Sequence, residues 1–208
     1  INLTKQKKDN QYLRALVFQL YEKNGVIKRS EIDNIVKLIP TEERKKLWGM
    51  GIKIGRYHVY LPKMLKPKAV EFRISLWKIF HNLTKKNEIP KSGLNFIINK
   101  NYEKNFLLLC GFERFKDYFV RIDILEKLFI KILENSKDRK FKINSEMMNL
   151  LGCTKENFYK LMTYMDYKKD KAEDTYIFKG ERKKKIEKFI KFDKKENPFK
   201  KLLSLNIK

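Results

Sequence analysis

The sequence predicts a mainly helical α+β chain in which short β-hairpins close off helical units, and three observations lead there. First, residues 141–178 carry two short apolar-periodic helices separated by Gly152, then a strand-like pair. Second, residues 12–61 repeat the pattern less clearly, with three helical stretches followed by an extended one. Third, apolar residues elsewhere recur every three to four positions rather than alternating. Two helices, a tight turn and a hairpin make a winged-helix pattern, which often serves nucleic acids. We therefore expect two winged-helix-like units in tandem: one over 1–90, a second over 91–180 with its helix–turn–helix at 141–178, and a basic amphipathic tail over 181–208.

Taken in order, Tyr12, Leu13, Leu16, Val17, Leu20 and Tyr21 predict a helix ending before Gly25. Ser30 is placed to cap a second, carrying Ile32, Ile35, Val36 and Ile39 and halted by Pro40. Thr41 is placed to cap a third, Glu42 to Trp48, ended by Gly49 and Gly51. Ile52 to Leu61 is rich in β-branched and aromatic residues, and reads as one strand or a tight pair kinked at Gly55. Pro67 suits the first turn of a long helix bearing Val70, Phe72, Ile74, Leu76, Trp77 and Phe80. Residues 87–93 read as a surface loop, Leu94 to Ile98 as a strand, and Tyr102 to Cys110 as a helix closed by Gly111. Tyr118 to Val120 reads as extended and Ile122 to Leu133 as an amphipathic helix. Near Ser145 begins a helix with Met147, Met148, Leu150 and Leu151, stopped at Gly152. Thr154 caps the next, whose Phe158, Leu161, Met162 and Met165 share a face. Tyr167, a polar turn through Lys171 and Asp174, and Tyr176 to Phe178 complete the hairpin. No internal repeat of fixed period is visible.

Charge points to the class of partner. The chain carries 49 Lys+Arg against 25 Asp+Glu, a formal net charge of +24 over 208 residues. Such a surplus opposes a compact state through self-repulsion and is normally matched to a polyanion. Lys supplies most of it, which favours attraction to phosphates over bidentate reading of bases. Neither RNA nor DNA is singled out by that attraction.

Other chemistries find little footing. No apolar run approaches the roughly 20 residues of a membrane span. Cys110 and Cys153 stand alone in apolar helix-end contexts, which predicts two buried thiols in a reducing, cytoplasmic setting. Neither they nor His58 and His81 have zinc-ligand spacing, so no metal is expected. Gly49, Gly51 and Gly55 lack both the dinucleotide fingerprint and a Gly-Lys-Ser/Thr ending, and no Ser/His/Asp or Cys/His set suggests itself. A binding or coupling module without its own catalytic residues is expected.

Three segments resemble one family. Leu47-Trp-Gly-Met-Gly-Ile-Lys-Ile-Gly-Arg-Tyr-His-Val-Tyr-Leu-Pro-Lys-Met-Leu-Lys-Pro67 is the first. The second is Cys110-Gly-Phe-Glu-Arg with Val120-Arg-Ile-Asp-Ile-Leu-Glu-Lys-Leu128, and the third is Phe141 to Tyr167 around Met147-Met-Asn-Leu-Leu-Gly-Cys-Thr154. In this order they resemble the C-terminal accessory region of alphaproteobacterial ATP-dependent superfamily-2 helicases of the DEAD/DEAH type, relatives of the mitochondrial degradosome RNA helicase. The resemblance covers roughly residues 45–178. It implies a nucleic-acid partner, RNA first, and motor lobes in the same parent chain that hold ATP and Mg²⁺ on sequence not present here. The chain begins with Ile and not Met, from which either processing or a piece of something larger is expected. The alternative from another class is a free-standing basic protein associated with ribosomes or RNA.

The candidate contact residues fall in two groups. On the second helix of the motif these are Lys155, Asn157, Tyr159 and Lys160, with Lys168, Lys169 and Lys171 on the hairpin. On the earlier strand, alternation puts Arg56, His58 and Tyr60 on one face, with Lys63 and Lys66 just beyond. Because Tyr57, Val59 and Leu61 are the more apolar set, the Arg56, His58 and Tyr60 face is expected to be accessible, with Tyr60 stacking on a base and Arg56 pairing with phosphate.

Overall fold

One topology recurs three times along the chain. The computed structural model describes residues 11–81, 89–98, 104–170 and 174–177. Within them lie eight α-helices and three small antiparallel sheets. The first module comprises α1 (Gln11–Glu22), β1 (Val26–Lys28), α2 (Arg29–Leu38), α3 (Thr41–Gly49), β2 (Lys53–Ile54) and β3 (His58–Tyr60). The second begins with a 3-10 turn (Pro62–Leu65) and α4 (Pro67–Phe80), and continues through β4 (Phe96–Ile98), α5 (Lys104–Leu109), β5 (Phe112–Phe115) and β6 (Tyr118–Arg121). The third comprises α6 (Ile122–Glu134), β7 (Ser136–Lys137), β8 (Lys140–Lys142), α7 (Ser145–Leu151), α8 (Lys155–Tyr164), β9 (Lys168–Lys169) and β10 (Thr175–Ile177).

The sheets run β1-β3-β2, β4-β6-β5 and β7-β8-β10-β9. In each, the last strand of the module inserts between the strand before its final helix and the strand after it. The leading helices start at residues 11, 67 and 122, which are 56 and 55 residues apart. A repeat is thus present where the sequence shows none, because it lies in the order of elements and not in matching residues.

Local chemistry explains the element ends unevenly. Gly152 adopts the left-handed conformation (φ 68°) that closes α7, and Thr154 accepts the Asn157 N–H to open α8, as expected. The Asn144 side chain accepts the Met147 N–H and caps α7. Neither Ser30 nor Thr41 is a cap: α2 and α3 begin after Lys28 and Pro40, and no side chain caps either helix. The two-residue turn between β7 and β8 has both Asp138 and Arg139 at positive φ, the arrangement of a type I′ hairpin.

Each module buries its own apolar seam. Leu16, Ile32, Val36, Leu47 and Val59 centre the first, Ile74, Phe106, Leu107 and Phe119 the second, and Leu125, Leu128, Phe141, Phe158 and Leu161 the third. Full burial of one such side chain contributes about 1.5–3 kcal/mol. Tyr118 and Val120 of the second sheet face the third seam, so adjacent modules share a core across that sheet.

A polar lock joins the first module to the other two. The Glu126 carboxylate accepts three successive backbone N–H groups, from Arg56 (2.6 Å), Tyr57 (2.9 Å) and His58 (2.8 Å). Gly55 is required for this approach, since a Cβ there would overlap the carboxylate. His58 Nε2 lies 2.9 Å from Glu113 Oε2, and its Nδ1 is 3.7 Å from Glu126 Oε1. Lys28 also bonds Glu113. Burial alone would lower the His58 pKa, but bonding to Glu113 and Glu126 outweighs it and raises it. Burial would raise the Glu113 pKa, yet His58 and Lys28 hold it below the ordinary carboxylate value.

The expected accessible face of the Ile52–Leu61 stretch is corrected here. His58 and Tyr60 are 1% and 3% exposed. The reason is that β3 is a central strand covered on both faces. Val59 packs into the first seam, while Tyr60 packs against Ile122, Leu65 and Leu108, and His58 sits between two carboxylates. Arg56 is half-buried with its guanidinium 5.7 Å from the Phe129 ring. A stacking role for Tyr60 is excluded by this burial. Lys171 and the tail over 181–208 lie outside the described residues.

Candidate functional site

The third sheet presents a face that nothing among the described residues covers with apolar side chains. Register fixes which residues share it. Phe141 is opposite Tyr176 and both point into the core, so Lys140 and Lys142 on β8, with Thr175 and Ile177 on β10, point outward. Lys137 is opposite Lys140, and Lys168 is opposite Ile177. Lys137, Lys140, Ile177 and Lys168 therefore form one row across all four strands, with Lys142 in the next row. With strands about 4.8 Å apart, the row is about 14 Å wide.

Like charges directly opposite each other destabilise an antiparallel pair, as Lys137 and Lys140 must. Lys140 has a carboxylate partner, Asp170, at 2.8 Å. Among the described residues no ion pair involves Lys137, Lys142 or Lys168, and all four lysines are exposed. No aromatic side chain lies on these rows. The surface suits a distributed anion better than a flat ring.

Helix α8 borders this sheet and is pinned on both flanks. On one, Asp174 accepts the Tyr159 hydroxyl and lies 3.1 Å from Lys155 Nζ. The Lys155 and Lys169 ammonium groups sit 5.5 and 5.8 Å from the Tyr159 ring, which stacks on Tyr176 at 6.2 Å. Tyr159 and Lys155 hold the Asp174 carboxyl below its ordinary value. On the other flank, the Tyr118 hydroxyl donates to Asn157 Oδ1 at 3.0 Å and the Tyr118 ring lies 5.5 Å from Tyr164. What α8 leaves exposed is Lys155, Glu156, Lys160 and Thr163.

The predicted residues are thus divided. Lys155 and Lys169 meet at the Tyr159 ring and Lys168 lies on the outer face of the third sheet, Lys160 is exposed on α8, and Asn157 and Tyr159 are half-buried and engaged within the fold. Lys63, on the 3-10 turn of the second module, and Lys66, just past it, are exposed and well separated in sequence from this group. Sequence reasoning missed Lys137, Lys140 and Lys142. Their signal was faint: β7 has two residues, and the Asp138-Arg139 turn lacks the glycine that usually marks a type I′ hairpin.

Comparison with known proteins adds no neighbour. No family model matches this chain, and no curated protein or solved structure matches it either. Among the described residues no helix is long and apolar enough to cross a membrane, and no group of three or more His, Cys, Asp or Glu is placed to hold a metal ion.

Proposed function

We propose that this chain binds nucleic acid, RNA first, through the phosphate backbone, as the accessory region of an ATP-dependent helicase whose motor lobes, with ATP and Mg²⁺, lie on other sequence. The observation that carries the binding is the lysine row across the third sheet, Lys137, Lys140 and Lys168 with Lys142 beside it. The first module offers an internal measure of what such a face takes. There Lys28 and His58 on the outer sheet face are neutralised by Glu113 and Glu126. The third sheet offers the same kind of basic face without those carboxylates, so phosphates of a partner would take their place.

The winged-helix reading draws support from the order of elements: helix, strand, two helices and two strands in the first module, and the same order with the extra strand β7 in the third, with α7, Gly152 and α8 as helix–turn–helix and β9–β10 as the wing. The helicase assignment rests on the three resembling segments alone. Fluorescence anisotropy with labelled single-stranded and duplex RNA and DNA tests the binding. Affinity should fall with salt with a log–log slope of about −0.7 to −0.9 per phosphate contacted. Replacing Lys137, Lys142 and Lys168 together by Glu should weaken binding at least tenfold. Salt-independent binding, or unchanged affinity in a folded triple variant, would refute the assignment of this face.

A further inference from the structure

Arg73, on α4, is a permanent cation that is 5% exposed. It has no carboxylate partner among the described residues. Its Nη1 donates to the Asn24 carbonyl at 2.7 Å and its Nη2 to the Leu109 carbonyl, just past α1 and at the end of α5. These two bonds staple the first module to the second. Among the described residues the charge is thus balanced only by carbonyl dipoles, and the buried Nε–H has no partner. Burial presses the Arg73 pKa down, yet a guanidinium stays ionised, so the desolvation cost is not relieved by losing a proton. Buried charges are otherwise paired.

Arg73 lines an open cleft of about 640 Å³. Its other walls include Lys23, Asn105, Trp77 and His81, with Glu22 as the one carboxylate among the described residues. The Trp77 and His81 rings are 5.2 Å apart, and Trp77 leans on buried Phe106 at 6.1 Å. A buried cation, a second cation at the rim and a supported indole within one cleft match an anion attached to a flat ring. We infer that this cleft binds a phosphate monoester carried on an aromatic base, with the phosphate on Arg73 and Lys23 and the base against Trp77 and His81. The ligand is a nucleoside monophosphate or the 5′-phosphorylated end of a strand. This site is separate from the lysine row and does not depend on it.

The test uses the full chain with Trp48, the other tryptophan, changed to Phe, so that emission reports Trp77 alone. Adenosine monophosphate should quench that emission saturably, and inorganic phosphate should raise the unfolding temperature in a concentration-dependent way. The rim variants His81→Glu and Lys23→Glu are at exposed positions and should fold normally while weakening nucleotide binding at least tenfold. Arg73→Gln removes the cation and should abolish it. A 5′-phosphorylated dinucleotide, too short to span the lysine row, decides the source: tighter binding than the mononucleotide assigns a strand end, and weaker binding a free nucleotide. No saturable response to either the mononucleotide or phosphate in the parent chain, or equal responses in His81→Glu and Lys23→Glu, would overturn the inference. Because the readout is Trp77 emission, loss of nucleic-acid binding at the third sheet leaves it unaffected.

Discussion

The first and third modules share an order of elements apart from the extra strand β7 of the third, but differ in what lies on the outer face of the sheet. In the first, Lys28, His58 and Tyr60 face inward onto Glu113, Glu126 and Ile122, and the strand is buried on both sides. In the third, Lys137, Lys140, Lys142 and Lys168 face outward, with Asp170 as the paired carboxylate. A basic strand flanked by aromatics is therefore not in itself a binding strand. Its role depends on whether a later element supplies the countercharge.

The largest effect expected from breaking this contrast is in the first module. Glu126→Ala strands three backbone N–H groups and removes a partner of His58, which should cost about 3–5 kcal/mol in urea unfolding. Tyr60→Ala should cost about 3 kcal/mol or more by emptying a buried site, while affinity for nucleic acid per folded molecule stays the same. An unaltered unfolding midpoint in either variant would mean that the face is open after all.

Acidity sharpens the same contrast. Glu113, with its pKa lowered by folding, contributes stability that is full above its unfolded value of about 4.3 and is lost as pH falls through its folded value. His58, with its pKa raised, contributes stability that is full below about 6.5 and is lost as pH rises through its folded value. The lock should thus be strongest between about pH 4.3 and 6.5. Thermal melts across pH 4–9 should show a decline above neutrality that His58→Gln removes. The third sheet carries no histidine, so binding there should show no such decline.

The smallest effects belong to α8. Lys155→Glu and Lys160→Glu together should weaken nucleic-acid binding less than the Lys137, Lys142 and Lys168 replacements do, because Lys155 is engaged with Asp174 and Tyr159. An equal or greater loss in anisotropy titrations would move the contact surface from the sheet to the helix.

Legibility followed the range of the interactions. Helices α7 and α8 were readable to within a residue or two because Gly152, Thr154 and the spacing of Phe158, Leu161 and Met162 are all local. Short strands were not, since β1 and β7 have three and two residues and no periodicity to detect. Least readable was the fate of His58 and Tyr60. Alternation within residues 56–60 correctly grouped them, but what covers them comes from residues 65, 108, 113, 122 and 126. Lys140 and Lys142 were hidden for the same reason, because their facing depends on Tyr176 across the sheet.

The Glu126 carboxylate also has consequences for the order in which the molecule is made. The residues it holds precede it by 70, 69 and 68 positions. On a ribosome adding about 5–20 residues per second, the backbone amides at 56–58 wait roughly 4–14 seconds for their acceptor to be synthesised. During that interval the outer side of the first sheet is open to water and to other anions. A nascent chain halted before residue 126 should therefore show fast amide exchange at 56–58, even where α1 and α2 have already docked.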